Sequence, residues 1–423
     1  LYPSDGKASD FRGAMMRKLA AIRQRRSAAA RQLLVVCAAI VGVLPVQAQD
    51  VATPLPATFT NPPLFWIPDA GSGWIDFNPE GNHIIIPVML NGQPAKAMID
   101  TGFDYLVVSK SYADAHHLPL TPWGKPSLSV GGPTQNYTTP SVAINVGAFR
   151  TIKPGAVTVI DLSNVAVLNL KGVDVVIGLP LLGPFEWQVD QDHHRFRLMK
   201  SGTIPLSNGI PIRVGPNNSR LVTDILVNGK SVSPAMIDTG SDDQVSLPPK
   251  IAGATGFKPQ TDMASVGAGG TVINPLGRLT NFMIGQQKFA DAYATVQPSG
   301  WWGSGIQALV GMGTLRAFNM TVDLTAGQMT LEPRARPAAP IKTSRDGIQG
   351  FVRDGRWAVA HVMRNSPAMA AGLKAGAEIC AIDGRPVSEE LIAGYWSRAA
   401  VGTRHVLKLC NGTSRAITLR SFY

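Results

Sequence analysis

Cysteine is scarce: the 423 residues hold three. Cys37 lies in an apolar stretch near the N-terminus, and only Cys380 and Cys410 remain beyond it. No Cys or His spacing fits a metal-binding pattern, and the adjacent pairs His116-His117 and His193-His194 read as surface residues. No Gly-x-Ser-x-Gly and no His-Glu-x-x-His occurs, which argues against a serine-hydrolase elbow or a helical zinc site. No metal or other cofactor is expected. Charge is low too, at 16% Asp, Glu, Lys and Arg. The net +11 contains no long basic run: residues 1–48 carry eight Lys/Arg and two acids, and the remaining +5 is dispersed. A nucleic-acid partner is therefore not expected.

The N-terminal charge has its own explanation. Met16 to Arg31 is basic and Leu33 to Leu44 is apolar, long enough for the core of a secretion signal and too short to span a bilayer comfortably. Val46-Gln47-Ala48 offers a cleavage site, with a mature start near Gln49. Residues 1–48 are thus expected to be a signal peptide, with extra upstream residues before the first Met, and the location to be periplasmic or secreted. Membrane association follows only if the segment stays uncleaved. In such a compartment Cys380 and Cys410 form either a disulfide or two buried thiols.

The chain holds 43 Gly and 32 Pro, with short Val, Ile and Thr runs between them. That composition predicts a mostly β protein of two or three domains. One stretch occurs twice. Ala97-Met98-Ile99-Asp100-Thr101-Gly102 returns as Ala235-Met236-Ile237-Asp238-Thr239-Gly240, and each copy follows an Asn-Gly turn, at Asn91-Gly92 and Asn228-Gly229. The likeness extends further. Val175-Val176-Ile177-Gly178 corresponds to Ala308-Leu309-Val310-Gly311, and Phe185 to Asp190 corresponds to Phe318 to Asp323. The acids lie 138 residues apart and the later landmarks 133, which marks an internal duplication.

Two equivalent Asp residues at strand ends suggest one site on a pseudo-twofold axis. Carboxylates about 3 Å apart cannot both ionise, so the pair keeps one proton. The charged member can take a proton from water while the protonated member donates to a carbonyl oxygen. Gly102 and Gly240 allow tight turns that present N–H groups to the acids, and Thr101 and Thr239 can hydrogen-bond across the axis.

With these motifs the chain resembles the retropepsin-like aspartyl proteases, in the bacterial form with two fused copies and a PDZ domain. The resemblance covers about residues 83–200 and 220–332. It implies a β-barrel-like lobe per copy, a cleft between lobes that takes a protein or peptide substrate, and flap hairpins over it. It makes Asp100 and Asp238 the catalytic pair and Gly131, Gly132, Gly267, Gly269 and Gly270 the flap-tip candidates. Asp104 and Asp242 also match family positions and are expected to satisfy backbone donors. Ser241 fits the family pattern after Asp-Thr-Gly; its hydroxyl is expected to favour the charged form of a neighbouring carboxylate, making Asp238 the ionised acid and Asp100 the proton holder. Phe103 departs from the pattern and stands where it can obstruct the first site. The Arg that retroviral members place after the late Gly is absent.

Residues 346–423 resemble a bacterial PDZ domain. Ser366-Pro367-Ala368, Ala371-Gly372-Leu373, Gly376 to Ile379 and Ile382-Asp383-Gly384 carry the likeness. The resemblance implies a peptide C-terminus bound at Ile348, Gln349, Gly350 and Phe351, with Gln349 where an apolar residue is usual, beside a helix over 388–398. The expected layout is a signal over 1–48, an extended leader over 49–73, lobes over 74–205 and 206–332, a Pro-rich linker over 333–345 and the PDZ domain. The resulting functional expectation is an aspartic endopeptidase whose PDZ domain recruits substrate or regulates. The alternative is an inactive protease-like scaffold that binds peptides through its cleft and PDZ domain.

Overall fold

The computed structural model describes residues 64–78, 82–123, 126–164, 172–216, 220–298, 302–303, 305–338, 343–396 and 399–423. The expected signal and the leader as far as residue 63 lie outside the described residues.

The Asn-Gly turns set the register of each lobe. Both residues of each turn have positive φ: +49° and +79° at Asn91-Gly92, +50° and +77° at Asn228-Gly229. This handedness suits the twist of a two-residue hairpin. One turn joins strands Ile85–Leu90 and Gln93–Ile99, the other Leu221–Val227 and Lys230–Asp238. Beside the second strand of each hairpin runs a parallel partner, Val175–Ile177 in the first lobe and Ala308–Gly311 in the second. Strands Leu106–Ser109 and Val245–Leu247 pair antiparallel to these partners. Val107, Val108, Val175 and Val176 are all fully buried, so these strands read as continuous apolar runs and not as alternation. Each acid therefore leaves the end of a central, rigid strand.

The first lobe is an eight-stranded sheet and the second a ten-stranded one. A third, six-stranded sheet belongs to both. In it Phe185–Asp190 pairs antiparallel with Phe318–Asp323, and Gln188 lies opposite Thr321. The 133-residue offset makes these two residues equivalent, so the pseudo-twofold axis passes between them. The Gln188 amide donates to Thr321 Oγ1 at 2.8 Å. One hydrophobic core runs through both lobes, with Trp187, Val189 and Phe196 from one tail and Met320 and Val322 from the other. Burial of such side chains stabilises by about 1.5–3 kcal/mol each, which fixes the lobes as one body.

Two expected boundaries move. Strand Leu64–Trp66 pairs with Arg150–Lys153, and Phe65 and Ile67 are buried, so residues 64–73 belong to the first lobe and not to a leader. Leu64 to Ile67 are all apolar, and the segment buries Phe65 and Ile67 while leaving Trp66 exposed. The linker begins as ordered structure: the Ala335 N–H donates to Asp192 at 3.0 Å and that of Arg334 to Ala317 O at 3.3 Å. Residues 339–342 lie outside the described residues.

The C-terminal domain is a small α+β unit with strands Ile348–Arg353, Arg356–Val362, Glu378–Ile382, Arg404–Leu409 and Ser414–Thr418 along its sheet. Its own core centres on Trp357, Ile379, Ile382, Leu407 and Ile417. The expected helix includes a π-helical segment over Leu391–Trp396, with Ser388 Oγ accepting the Leu391 N–H at 3.1 Å; residues 397–398 lie outside the described residues. Cys380 and Cys410 form a disulfide.

Candidate active site

Asp100 and Asp238 meet between the lobes, held by hydrogen bonds that mirror each other. Thr101 Oγ1 donates to Ile237 O at 2.7 Å, and Thr239 Oγ1 to Ile99 O at 2.9 Å. Each hydroxyl also accepts the opposite threonine's N–H, both at 3.1 Å. Both threonines are fully buried, so all four bonds form away from water. Within each loop the glycine N–H donates to its own acid at 2.9 Å, Gly102 to Asp100 and Gly240 to Asp238. Glycine serves here for space. A Cβ at Gly240 would lie 2.1 Å from the Asp100 carboxyl, and one at Gly102 would lie 2.6 Å from Asp238 Oδ1. Each carboxyl thus occupies room left by the opposite glycine.

The two acids share a hydrogen bond and are 5% and 9% exposed. Burial raises Asp100 well above the usual carboxylate range, and the neighbouring Asp238 charge raises it further. Burial also raises Asp238, but the Gly240 N–H, the Asp100 hydrogen bond and the charges of Arg220 and His83 oppose it. The arrangement favours one proton shared by the pair, which titrates as a unit. The Ser241 hydroxyl accepts the Asp243 N–H at 3.3 Å, closing a turn two residues on, while the charges of Arg220 and His83 act on Asp238.

Asp104 and Asp242 pair with basic side chains, where backbone donors were expected. Each pairs with a base from the opposite lobe: Asp104 with Arg220, and Asp242 with His83 at 3.5 Å. The bases are repeat equivalents, each eight residues before its Asn-Gly turn. Both are nearly buried, and Arg220 Nε also donates to Trp302 O at 3.0 Å. Burial pulls the His83 pKa down, but the Asp242 hydrogen bond and the charges of Asp242 and Asp238 outweigh it, leaving a net rise. Sequence reasoning missed this pair of bridges. The signal was a base at one fixed distance before each turn and an acid four residues after each Asp.

The glycine candidates lie at the tips of two hairpins that touch. Gly131 and Gly132 turn between Ser127–Ser129 and Gly132–Thr134. Gly267, Gly269 and Gly270 turn between Thr261–Gly267 and Gly270–Arg278. The Gly269 N–H donates to Val130 O at 3.0 Å. A Cβ at Gly131 would lie 2.3 Å from the Gly270 backbone, and one at Gly269 would lie 2.2 Å from Gly132 O. Ala268, at the second tip, packs on the same buried cluster as Phe103, around Met98, Val107 and Val176. The Phe103 ring is thus drawn into the first lobe's own apolar cluster.

Ile348, Gln349, Gly350 and Phe351 line one cavity of about 660 Å³ between the C-terminal domain and the second lobe. Val266 of the second glycine-tipped hairpin and Ile392 of the π-helical segment line it as well. Among the described residues no group of three or more His, Cys, Asp or Glu is placed to hold a metal.

Residues 86–181 and 223–314 each match the aspartyl protease family model. No curated protein matches the chain significantly. Among solved structures, a retropepsin-like aspartic protease from Rickettsia conorii is 21% identical, over 28% of this chain and 85% of its own, with a TM-score of 0.23. The two matches fall on the two repeats, so each repeat is similar to the aspartyl protease family, and the chain carries two such regions in tandem.

Proposed function

We propose that the chain is a single-chain aspartic endopeptidase in which Asp100 and Asp238 activate one water for attack on a peptide carbonyl. Charged Asp238 takes a proton from the water as its oxygen bonds to the carbonyl carbon. Protonated Asp100 donates to the carbonyl oxygen, and the tetrahedral adduct then expels the amine, protonated by the pair. The observation that carries this reading is the buried carboxyl pair, each member seated in the gap left by the opposite glycine. Thr101 and Thr239 keep the loops in register, and the meeting hairpins are the flaps that close over an extended protein or peptide substrate.

In the same reading, residues 346–423 are a PDZ domain that takes a peptide C-terminus at Ile348 to Phe351. A periplasmic or secreted location agrees with the Cys380–Cys410 disulfide, since such bonds persist in oxidising compartments.

The test is cleavage of a denatured protein across pH by the wild type, Asp100→Asn and Asp238→Asn. Each variant is expected to lose activity by about 10²–10⁴-fold or more. Cleavage that survives in either variant sinks the two-acid mechanism. No cleavage by the wild type at any pH favours the peptide-binding scaffold.

A further inference from the structure

The two flaps are held differently. The first flap's strands, Ser127–Ser129 and Gly132–Thr134, form a two-stranded sheet of their own. The second flap continues the main sheet of its lobe, and its strand Thr261–Gly267 is that sheet's edge. An edge strand presents unpaired N–H and C=O groups. The C-terminal domain covers this one.

The cover is specific. Gln349 Oε1 accepts the Ala264 N–H at 2.7 Å, and Gln349 Nε2 donates to Ala264 O at 3.3 Å. The side-chain amide thus supplies the donor and acceptor that a neighbouring strand's peptide groups would supply. Two residues back along the flap, Asp262 Oδ1 accepts the Arg364 N–H at 2.8 Å and contacts His361 Nε2 at 2.9 Å. Gln349 and His361 are register partners in the C-terminal sheet, so they leave it on the same side. Thr261 Oγ1 donates to Arg364 O at 2.6 Å, and Asn365 Nδ2 to Gln260 O at 2.9 Å. Met363 packs with Leu276 and Tyr293 of the second lobe.

We propose that the C-terminal domain is a latch on the second flap, with Gln349 as the residue that fastens it and restrains opening of the cleft. The flap must swing away from the first flap's tip to admit a substrate. That movement breaks the two Ala264 bonds and the Asp262 contacts, which hold the second flap to the C-terminal domain. Gln349 also explains itself: an apolar residue in its place could not pair with a strand edge. Opening is therefore asymmetric, with the first flap the readier to move. The restraint regulates the cleft assigned under the proposed function and rests on that reading for its catalytic consequence only.

Hydrogen exchange on the full chain tests the latch without any need for turnover. Gln349→Leu should speed exchange across residues 261–270 by roughly tenfold, the loss of about two modest hydrogen bonds. Exchange over 127–134 and in strands Arg404–Leu409 and Ser414–Thr418 should stay as in the wild type. Asp262→Ala, on the flap side, should speed exchange over 261–270 without touching the C-terminal core. Unchanged flap exchange in both variants, with the C-terminal strands still protected, overturns the proposal. With a folded protein substrate, Gln349→Leu should raise kcat/KM several-fold. Accelerated exchange in a protein with no proteolytic activity would sink the protease reading and leave the latch standing.

Discussion

The two lobes descend from one pattern, yet they differ around the shared acid pair. The first contributes His83, Phe103 and a short, separate flap. The second contributes Arg220, Ser241 and a longer flap tied to the C-terminal domain. The Asp-Thr-Gly loops themselves are twofold-related copies whose equivalent hydrogen bonds agree to within 0.2 Å. What must be symmetric is the grip between the loops, because each loop supplies half of it. What surrounds the grip has been free to diverge, and that divergence gives the two acids different charged neighbours.

Breaking the symmetric part should have the largest effects. Gly240→Ala places a methyl 2.1 Å from the Asp100 carboxyl, with a similar clash at Gly102→Ala. Either should abolish cleavage and destabilise by about 1–3 kcal/mol, the usual range for overpacking, as read from urea unfolding. Gly240→Ala should be the worse of the two.

The threonines come next in their effect on cleavage, although their effect on stability is at least as large. Thr101→Val and Thr239→Val each remove two buried bonds and strand a carbonyl and an amide of the opposite lobe. Each should lose roughly 2–4 kcal/mol, and the two losses should agree. A clear difference between them in urea midpoints would show that the grip is less symmetric than its geometry.

The acids differ from the threonines in sign. Both folded pKa values are raised, so ionising the pair is harder in the folded protein than in the unfolded chain. Stability therefore falls as pH rises from the ordinary carboxylate range through the raised values. Asp100→Asn should be inactive and yet melt higher than the wild type at neutral pH, with the gap closing in acid. An equal or lower melting temperature at neutral pH would contradict the shared-proton description.

The smallest effect is the contrast between the flanking bridges. His83 has a folded pKa above its ordinary 6.5, so its pairing with Asp242 contributes fully below that pH and is lost as pH rises through the raised value. Asp242 has a lowered pKa, so its contribution is lost only as pH falls through that lowered value. The Arg220 guanidinium stays charged throughout the mildly acidic to mildly alkaline range. A melting series from mildly acidic to mildly alkaline pH should fall in the wild type and flatten on that limb in His83→Gln. Identical slopes would remove His83 as the source of asymmetry.

The sequence by itself determined the duplication, the strand-turn-strand entry to each acid and the glycine-rich hairpins. These are local: Asn-Gly accepts two positive φ angles, apolar runs become buried strands, and Ser109 caps the helix Lys110–Ala115 through the Tyr112 N–H as its type suggests. The match of Ala-Met-Ile-Asp-Thr-Gly to itself was enough to pair Asp100 with Asp238. Only the tertiary structure decided what faces the pair. His83 to Asp242, Arg220 to Asp104 and Gln349 to Ala264 are separated by 159, 116 and 85 residues in the chain. Contacts of that span are set by how the lobes and the C-terminal domain pack, so no local pattern announces them. The same holds for Phe65 and Ile67. Their short strand is recognisable only from the first-lobe edge that it covers.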